Sequence, residues 1–281
     1  MKVFTAAGKL NEFIDPLRGT KKIGLIPTMG ALHEGHLSLV ERGLEENDLV
    51  VVSIFVNPTQ FDNAGDLKKY PRTLDADIAL LKTLKGTILI FVPEAVELYQ
   101  GTVVSKKYNF GSLENEMEGK HRKGHFDGVG TVVNLLFRAI LPTRAYFGEK
   151  DFQQLQIVKK LVEIEKLSVD IIGCEIVRED SGLAMSSRNK RLSATQKEEA
   201  ALISKTLKAV QKDFRKKSIH ELNTFVKEAF ASNPHLKLEY FEIANTKTLK
   251  TAFRKRKNSS YRAFIAAFAG EVRLIDNMAL K

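Results

Sequence analysis

The sequence predicts an α/β protein: a doubly wound parallel (Rossmann-like) sheet followed by a second, smaller α+β domain. Three observations predict it. Short, continuous apolar runs alternate with stretches of helical periodicity through residues 1–177, as expected of strands covered on both faces. Polar clusters rich in Gly, His, Asn and Lys directly follow those runs, where open parallel sheets bind ligands. After Val177 the alternation stops, and two helical patterns precede three strand-like runs.

The elements follow in order. Strands are expected at Ile23–Pro27, Leu49–Phe55, Ile88–Val92, Ala145–Phe147 and Val169–Val177. Helices are expected at Glu34–Glu46, Leu74–Leu84, Val129–Ile140 and Phe152–Lys166, where apolar residues recur at three- and four-residue spacing. Residues 1–177 form the first domain and 178–281 the second, with Arg178-Glu179-Asp180-Ser181-Gly182 as the linker. The second domain reads as helices at Ala194–Phe214 and Ile219–Ala231, then strands at Leu236–Ile243, Arg262–Phe268 and Val272–Ile275.

Bulk properties narrow the function. The apolar fraction, 43% of 281 residues, suits a globular protein. The longest apolar run, Leu49 to Val56, is too short to cross a bilayer. Lys9, Glu12 and Asp15 interrupt the N-terminal stretch where a signal peptide needs apolar residues, so a cytoplasmic protein is expected. Cys174 is the sole cysteine, which excludes an intrachain disulfide and fits a reducing compartment. The net charge of +10 is uneven: residues 1–177 hold 22 Lys+Arg against 23 Asp+Glu, and residues 178–281 hold 22 against 11. A basic module of this kind suits a polyanionic partner, or simply a solvated surface.

Four polar clusters carry the candidate chemistry. The first, Met29-Gly30-Ala31-Leu32-His33-Glu34-Gly35-His36, lies where the first strand turns into a helix. Backbone N–H groups and the positive end of the helix dipole converge there, which favours an anion, phosphate above all. A plain turn with a helix cap is the other reading. Metal binding by His33 and His36 is disfavoured, because the zinc-protease spacing places its histidines four apart and no third ligand is evident. The second cluster is Asn57-Pro58-Thr59-Gln60-Phe61, whose amides suit hydroxyls and carboxylates, or an ordinary Asn-Pro turn. The third, Gly148-Glu149-Lys150-Asp151 with Gln154 a turn later, places a cation for phosphate and an acceptor for a ribose hydroxyl or a helix cap. The fourth, Met185-Ser186-Ser187-Arg188, offers two hydroxyls and a guanidinium for a polyphosphate, positioned as a lid between the domains.

Taken together, the stretches PTMGALHEGH, SIFVNPTQF, YPRTLDAD, EGKHRKGHFDGV, YFGEKDFQQLQIV and GLAMSSRN resemble the pantoate–β-alanine ligase (AMP-forming) family of the adenylyl-transferring superfamily. The first matches the His-x-Gly-His element, and the last stands at the Lys-Met-Ser-Lys-Ser element. The resemblance covers most of residues 22–192, and the ending RLIDNMAL also fits. It implies that (R)-pantoate, ATP and β-alanine are the substrates, with Mg²⁺ required, and that the protein is a homodimer. Under it, Met29 to His36 bind ATP, His33 and His36 lie against the phosphates, and His36 stabilises charge as the adenylate forms. Gln60 holds pantoate near β-alanine, Asn57 supports that pocket, and Gln154 contacts the hydroxyl end of pantoate. Gly148, Glu149, Lys150, Asp151 and Val177 hold adenosine, Lys150 also reaches phosphate, Met185 to Arg188 contact the triphosphate, and Asp77 is a candidate near Mg²⁺.

Two departures stand out. Arg122-Lys123-Gly124-His125-Phe126 lacks the family's proline, and the lid reads Ser-Ser-Arg in place of the tRNA synthetase lysine pattern. Another small-molecule adenylyltransferase is the alternative enzyme, but such proteins are shorter and need no Gln60 and Gln154 pocket. A basic nucleic-acid-binding protein is disfavoured, since only Phe253 beside Arg254 to Lys257 interleaves an aromatic with charge. No nucleic-acid or membrane partner is expected.

Overall fold

The computed structural model describes residues 1–62 and 64–280. The chain divides into two compact units, of residues 1–110, 121–149 and 154–175, and of residues 111–120, 150–153 and 176–281. A single cut at residue 177 leaves the two short stretches with the first unit.

The first unit is built on six parallel strands: β1 (Lys2–Phe4), β2 (Ile23–Thr28), β3 (Leu49–Ile54), β4 (Ile88–Phe91), β5 (Arg144–Gly148) and β6 (Asp170–Cys174), in spatial order β1-β4-β3-β2-β5-β6. The chain builds outward from β2 through β3 to β4, then returns to the other side of β2 with β5. That reversal is the switch point of a doubly wound sheet, where a crevice opens at the carboxyl ends of the strands. The unit's helices are α1 (Ala7–Ile14), α2 (Glu34–Glu46), α3 (Ala64–Lys69), α4 (Leu74–Leu81), α5 (Ala95–Tyr99), α7 (His125–Ile140) and most of α8 (Phe152–Glu165), whereas α6 (Glu118–His121) falls mainly in the second unit. On one sheet face Leu37 and Val40 of α2 and Leu81 of α4 pack with Ile26, Val50, Val52 and Ile90. Gly43 lets α2 sit close, because a Cβ there would lie 3.1 Å from Ile26 and Val50 atoms. Alternation along the strands sends Leu25, Val51 and Leu89, also buried, to the opposite face.

The second unit carries α9 (Ala194–Asp213), α10 (Ile219–Ala231) and the antiparallel sheet β7 (Leu236–Asn245), β8 (Tyr261–Ala269), β9 (Val272–Leu280). Both helices start with a complete capping box, Ser193 with Gln196 and Ser218 with Glu221. Leu207, Val210, Leu222 and Val226 face Ile243, Ala263 and Ile265 in its core. Residues 111–120 are tied to this sheet. Arg273 donates to both oxygens of Glu118 at 2.7 Å, Tyr240 donates to Glu118 at 2.8 Å, and Gln153 donates to the carbonyls of Leu113 and Glu116.

Several boundaries differ from expectation for local reasons. The strand expected to reach Val177 ends at Cys174, because its partner β5 runs out at the Gly148–Cys174 pair. The expected linker is a tight turn inside the second unit: Arg178 bridges to Ala184, and its guanidinium donates to Asp276 at 2.6 and 3.0 Å. The last strand continues past Ile275, since Asp276 and Asn277 are buried and partnered where such residues commonly mark turns. Helix α7 begins four residues before Val129, because its first turn buries the polar His125 and Asp127, which break the apolar pattern. Apolar periodicity gave no sign of β1 or α1, the one an edge strand of three residues, the other anchored by Leu10 and Ile14.

Candidate active site

The loop from Met29 to His36 leaves the carboxyl end of β2 and enters α2. His33 is the N-cap, with extended backbone and no side-chain cap bond. The first N–H groups of such a helix have no intrahelical acceptor, and with the dipole they make an anion site. The His33 and His36 rings pack together on this turn with centroids 4.1 Å apart. To arrive there the chain takes left-handed backbone at Gly30 (φ 78°) and at Ala31 (φ 50°). The second is strained for a residue with a Cβ, by about 1–2 kcal/mol.

Asp77, in the first turn of α4, stabilises that backbone. It is 2% exposed and accepts from the Ala31 and Leu32 amides at 3.0 and 2.8 Å and from the Thr73 hydroxyl at 3.1 Å. Asp77, which the family resemblance puts near Mg²⁺, uses both carboxylate oxygens as hydrogen-bond acceptors for the histidine loop. No group of three or more His, Cys, Asp or Glu capable of holding a metal occurs among the described residues.

The second cluster lies after β3, in a single 3₁₀ turn at Pro58–Gln60. Asn57 caps it and is 1% exposed. Its Nδ2 donates to Gln60 Oε1 and to the Gly128 carbonyl, both at 3.1 Å. Its Oδ1 accepts from Tyr99 at 2.6 Å and from the Thr59 hydroxyl at 3.1 Å. Burial raises the Tyr99 pKa, which keeps that phenol a donor. Asn57 thus spends its whole amide on the turn, where it holds Gln60. Gln60, with 9% of its surface open, also reaches back to the first cluster, donating to Met29 Sδ at 3.0 Å.

The remaining candidates divide between the units. Gly148, Glu149 and Gln154 belong to the first, Gln154 half-buried and its neighbour Gln153 buried as a structural anchor of the second. Lys150 and Asp151 belong to the second, with Nζ 3.8 Å from the carboxylate, and Asn277 donates to the Lys150 carbonyl at 2.8 Å. Val177 accepts from the Met185 amide, so the turn at Arg178–Ala184 presents the Met185–Arg188 segment. There Ser186 caps a 3₁₀ turn by accepting from the Arg188 amide, and Ser187 is buried.

The family model for pantoate-beta-alanine ligase matches residues 2–279 of this chain. The chain belongs to that family. It is 51% identical to the pantothenate synthetase of Flavobacterium psychrophilum over 282 residues, covering all of both chains. It is 54% identical to that of Christiangramia forsetii, covering 100% of this chain and 99% of the other. The crystal structure of pantothenate synthetase from Thermus thermophilus superposes with a TM-score of 0.90 at 38% identity, covering 99% of each chain. The pantoate-beta-alanine ligase of Francisella tularensis, crystallised in complex with beta-gamma ATP and beta-alanine, gives 0.82 at 38% identity, covering 99% of this chain and 97% of its own. The chain is accordingly a ligase of the pantoate-beta-alanine ligase family, on a fold shared along its whole length.

Residues outside the four clusters support the first two. Thr28 accepts from the Gly30 amide and donates to the Ser53 carbonyl, joining the ends of β2 and β3. Tyr99, Arg122, His125 and Gly128 surround the Gln60 turn. The sequence signals that mark them, a Gly between a histidine and an apolar helix above all, give no partner by themselves.

Proposed function

We infer that this ligase joins (R)-pantoate to β-alanine with ATP, through a pantoyl adenylate, releasing pyrophosphate and AMP. The observation that carries the reading is the family match along residues 2–279. In the first half-reaction a pantoate carboxylate oxygen attacks the α-phosphorus, an O–P bond forms, and the bond to pyrophosphate breaks. In the second, the neutral β-alanine amine attacks the acyl carbon, a C–N bond forms, the C–O bond to AMP breaks, and the amine proton passes to solvent. Charge stabilisation and positioning serve both steps, and neither requires a protein nucleophile.

The residues suit these tasks. Met29 to His36 offer an amide-lined, imidazole-bearing turn for phosphates, with His36 donating to phosphate oxygens as charge moves toward pyrophosphate. Gln60 and Gln154 supply uncharged donors for the pantoate carboxylate and hydroxyls. Gly148 to Asp151 and Val177 hold adenosine, and Lys150 with Met185 to Arg188 serve the phosphates. Mg²⁺ enters with ATP as part of the substrate, held by phosphate oxygens and water, which agrees with the commitment of Asp77 to backbone amides. Cytoplasmic location and a homodimer are supported by the family resemblance; among the described residues no helix is long and apolar enough to cross a membrane.

The test is a product assay that omits each component in turn. AMP and pantothenate are expected only with ATP, Mg²⁺, pantoate and β-alanine together. Turnover without pantoate, or ADP in place of AMP, refutes the reading.

A further inference from the structure

Gln60 is held by main-chain as well as side-chain contacts, and these come from the first turn of α7. His125 Nδ1 lies 2.8 Å from the Gln60 carbonyl oxygen, and Arg122 Nη1 lies 3.1 Å from His125 Nε2. A guanidinium only donates, so Nε2 accepts and the ring is the neutral tautomer with its proton on Nδ1. That proton goes to Gln60. Arg122 Nη2 approaches the same carbonyl at 3.5 Å, and Asp62 sits 3.8 Å from the guanidinium. Three residues on from His125, Gly128 has its backbone against the turn. A Cβ there would lie 2.4 Å from the Thr59 carbonyl oxygen and 2.7 Å from Gln60 Cα, both main-chain atoms that cannot swing aside. The Gly128 carbonyl in turn accepts from Asn57, which also grips the Gln60 side chain.

We propose that the first turn of α7 is a positioning device for the acid-binding glutamine: His125 holds the Gln60 carbonyl, and Gly128, lacking a side chain, lets the helix close on the turn. The inference rests on the reading of Gln60 as a pantoate contact. His125 and Gly128 touch no substrate; they act by fixing where the Gln60 amide can be. A shift of about 1 Å in such a group costs up to roughly 100-fold in the reaction it serves.

The experiment compares steady-state KM values for each substrate in Gln60→Ala, His125→Leu, His125→Asn and Gly128→Ala, with thermal unfolding recorded for each. Gln60→Ala is the reference and raises the pantoate KM. His125→Leu and Gly128→Ala raise it by about 10- to 100-fold, with the ATP KM held within about twofold. His125→Asn restores the pantoate KM, because its Nδ2 takes the place of the ring Nδ1 as donor. If Gly128→Ala yields no folded protein, the contrast between His125→Leu and His125→Asn decides. An effect in Gln60→Ala with none in His125→Leu, or equal losses for pantoate and ATP, overturns the positioning role alone. A Gln60→Ala enzyme with unaltered pantoate KM overturns the reading of Gln60 and the inference with it.

Discussion

Asp77→Asn isolates what holds the histidine loop in its strained shape. The carboxylate receives two buried backbone amides and one hydroxyl. A hydrogen bond to a charged acceptor contributes about 1.5–3 kcal/mol, and a buried amide left without an acceptor costs about 1–3 kcal/mol. Two such bonds outweigh the strain of about 1–2 kcal/mol stored at Ala31. Asparagine keeps one oxygen but turns an NH₂ toward an N–H donor, so one bond is lost, a buried amide is left without an acceptor, and the strained shape becomes unfavourable by about 1–3 kcal/mol. The loop then samples other conformations, and apparent ATP affinity falls by the fraction still competent, roughly 5- to 150-fold for about 1–3 kcal/mol. Hydrogen exchange at the Ala31 and Leu32 amides, followed by NMR without ligand, reports the loop; calorimetric ATP titration reports the site. Faster exchange at those two amides with weaker ATP binding is expected. Unchanged exchange, together with a raised Mg²⁺ requirement, would refute the argument and return the carboxylate to the metal.

Other outcomes follow from the same geometry. His36→Ala lowers pantoate-dependent ATP–pyrophosphate exchange by about 100-fold or more, measured with labelled pyrophosphate; near-normal exchange would make the ring structural. Gln153→Leu strands the Glu118 amide and the Leu113 and Glu116 carbonyls; at about 1–3 kcal/mol for each buried group, a clear drop in Tm is expected by calorimetry, and an unchanged Tm would show that residues 111–120 are not anchored there. Burial pushes the Cys174 thiol up to about 11, so the native protein reacts with a disulfide reagent at pH 8 only as it unfolds. Because the folded state holds that proton more tightly than the unfolded chain, Cys174 adds no pH dependence at neutral pH, and its burial lowers stability as pH rises from about 9 toward 11. Rapid labelling of native enzyme at pH 8 would contradict this.

Legibility tracked the physics of each element. The continuous runs Ile23–Pro27 and Leu49–Phe55 read directly as strands, within a residue of β2 and β3, because every side chain is apolar or small and both faces are covered. The periodic faces of α9 and α10 gave their bounds to within a residue. Asp276 and Asn277 were misleading because the groups that satisfy them, Arg178 and the Lys150 carbonyl, lie 98 and 127 residues away. The partners of Asp77 were hidden in the same manner: only coordinates show that its carboxylate accepts from amides 45 and 46 residues upstream.

The two loops at the carboxyl edge of β2 and β3 share one construction, and it explains why motif residues alone do not define this site. Each loop carries the groups proposed above to meet ligand, His33 and His36 in one and Gln60 in the other. Neither loop is held by its own contacts alone. The first turn of α4 supplies a carboxylate to the histidine loop, and the first turn of α7 supplies an imidazole and a missing Cβ to the glutamine turn. Met29, bonded to Gln60 through its sulfur, couples the two. Displacement of either helix start is therefore felt at the other loop to the extent that this contact carries it, so Asp77→Asn should raise the pantoate KM as well as weaken ATP, whereas His125→Leu acts on the acid alone. The asymmetry arises because the weak Met29–Gln60 contact transmits a large rearrangement of the strained loop but not a small tilt of the turn. Equal effects of both variants on both substrates would show the loops to be one rigid body.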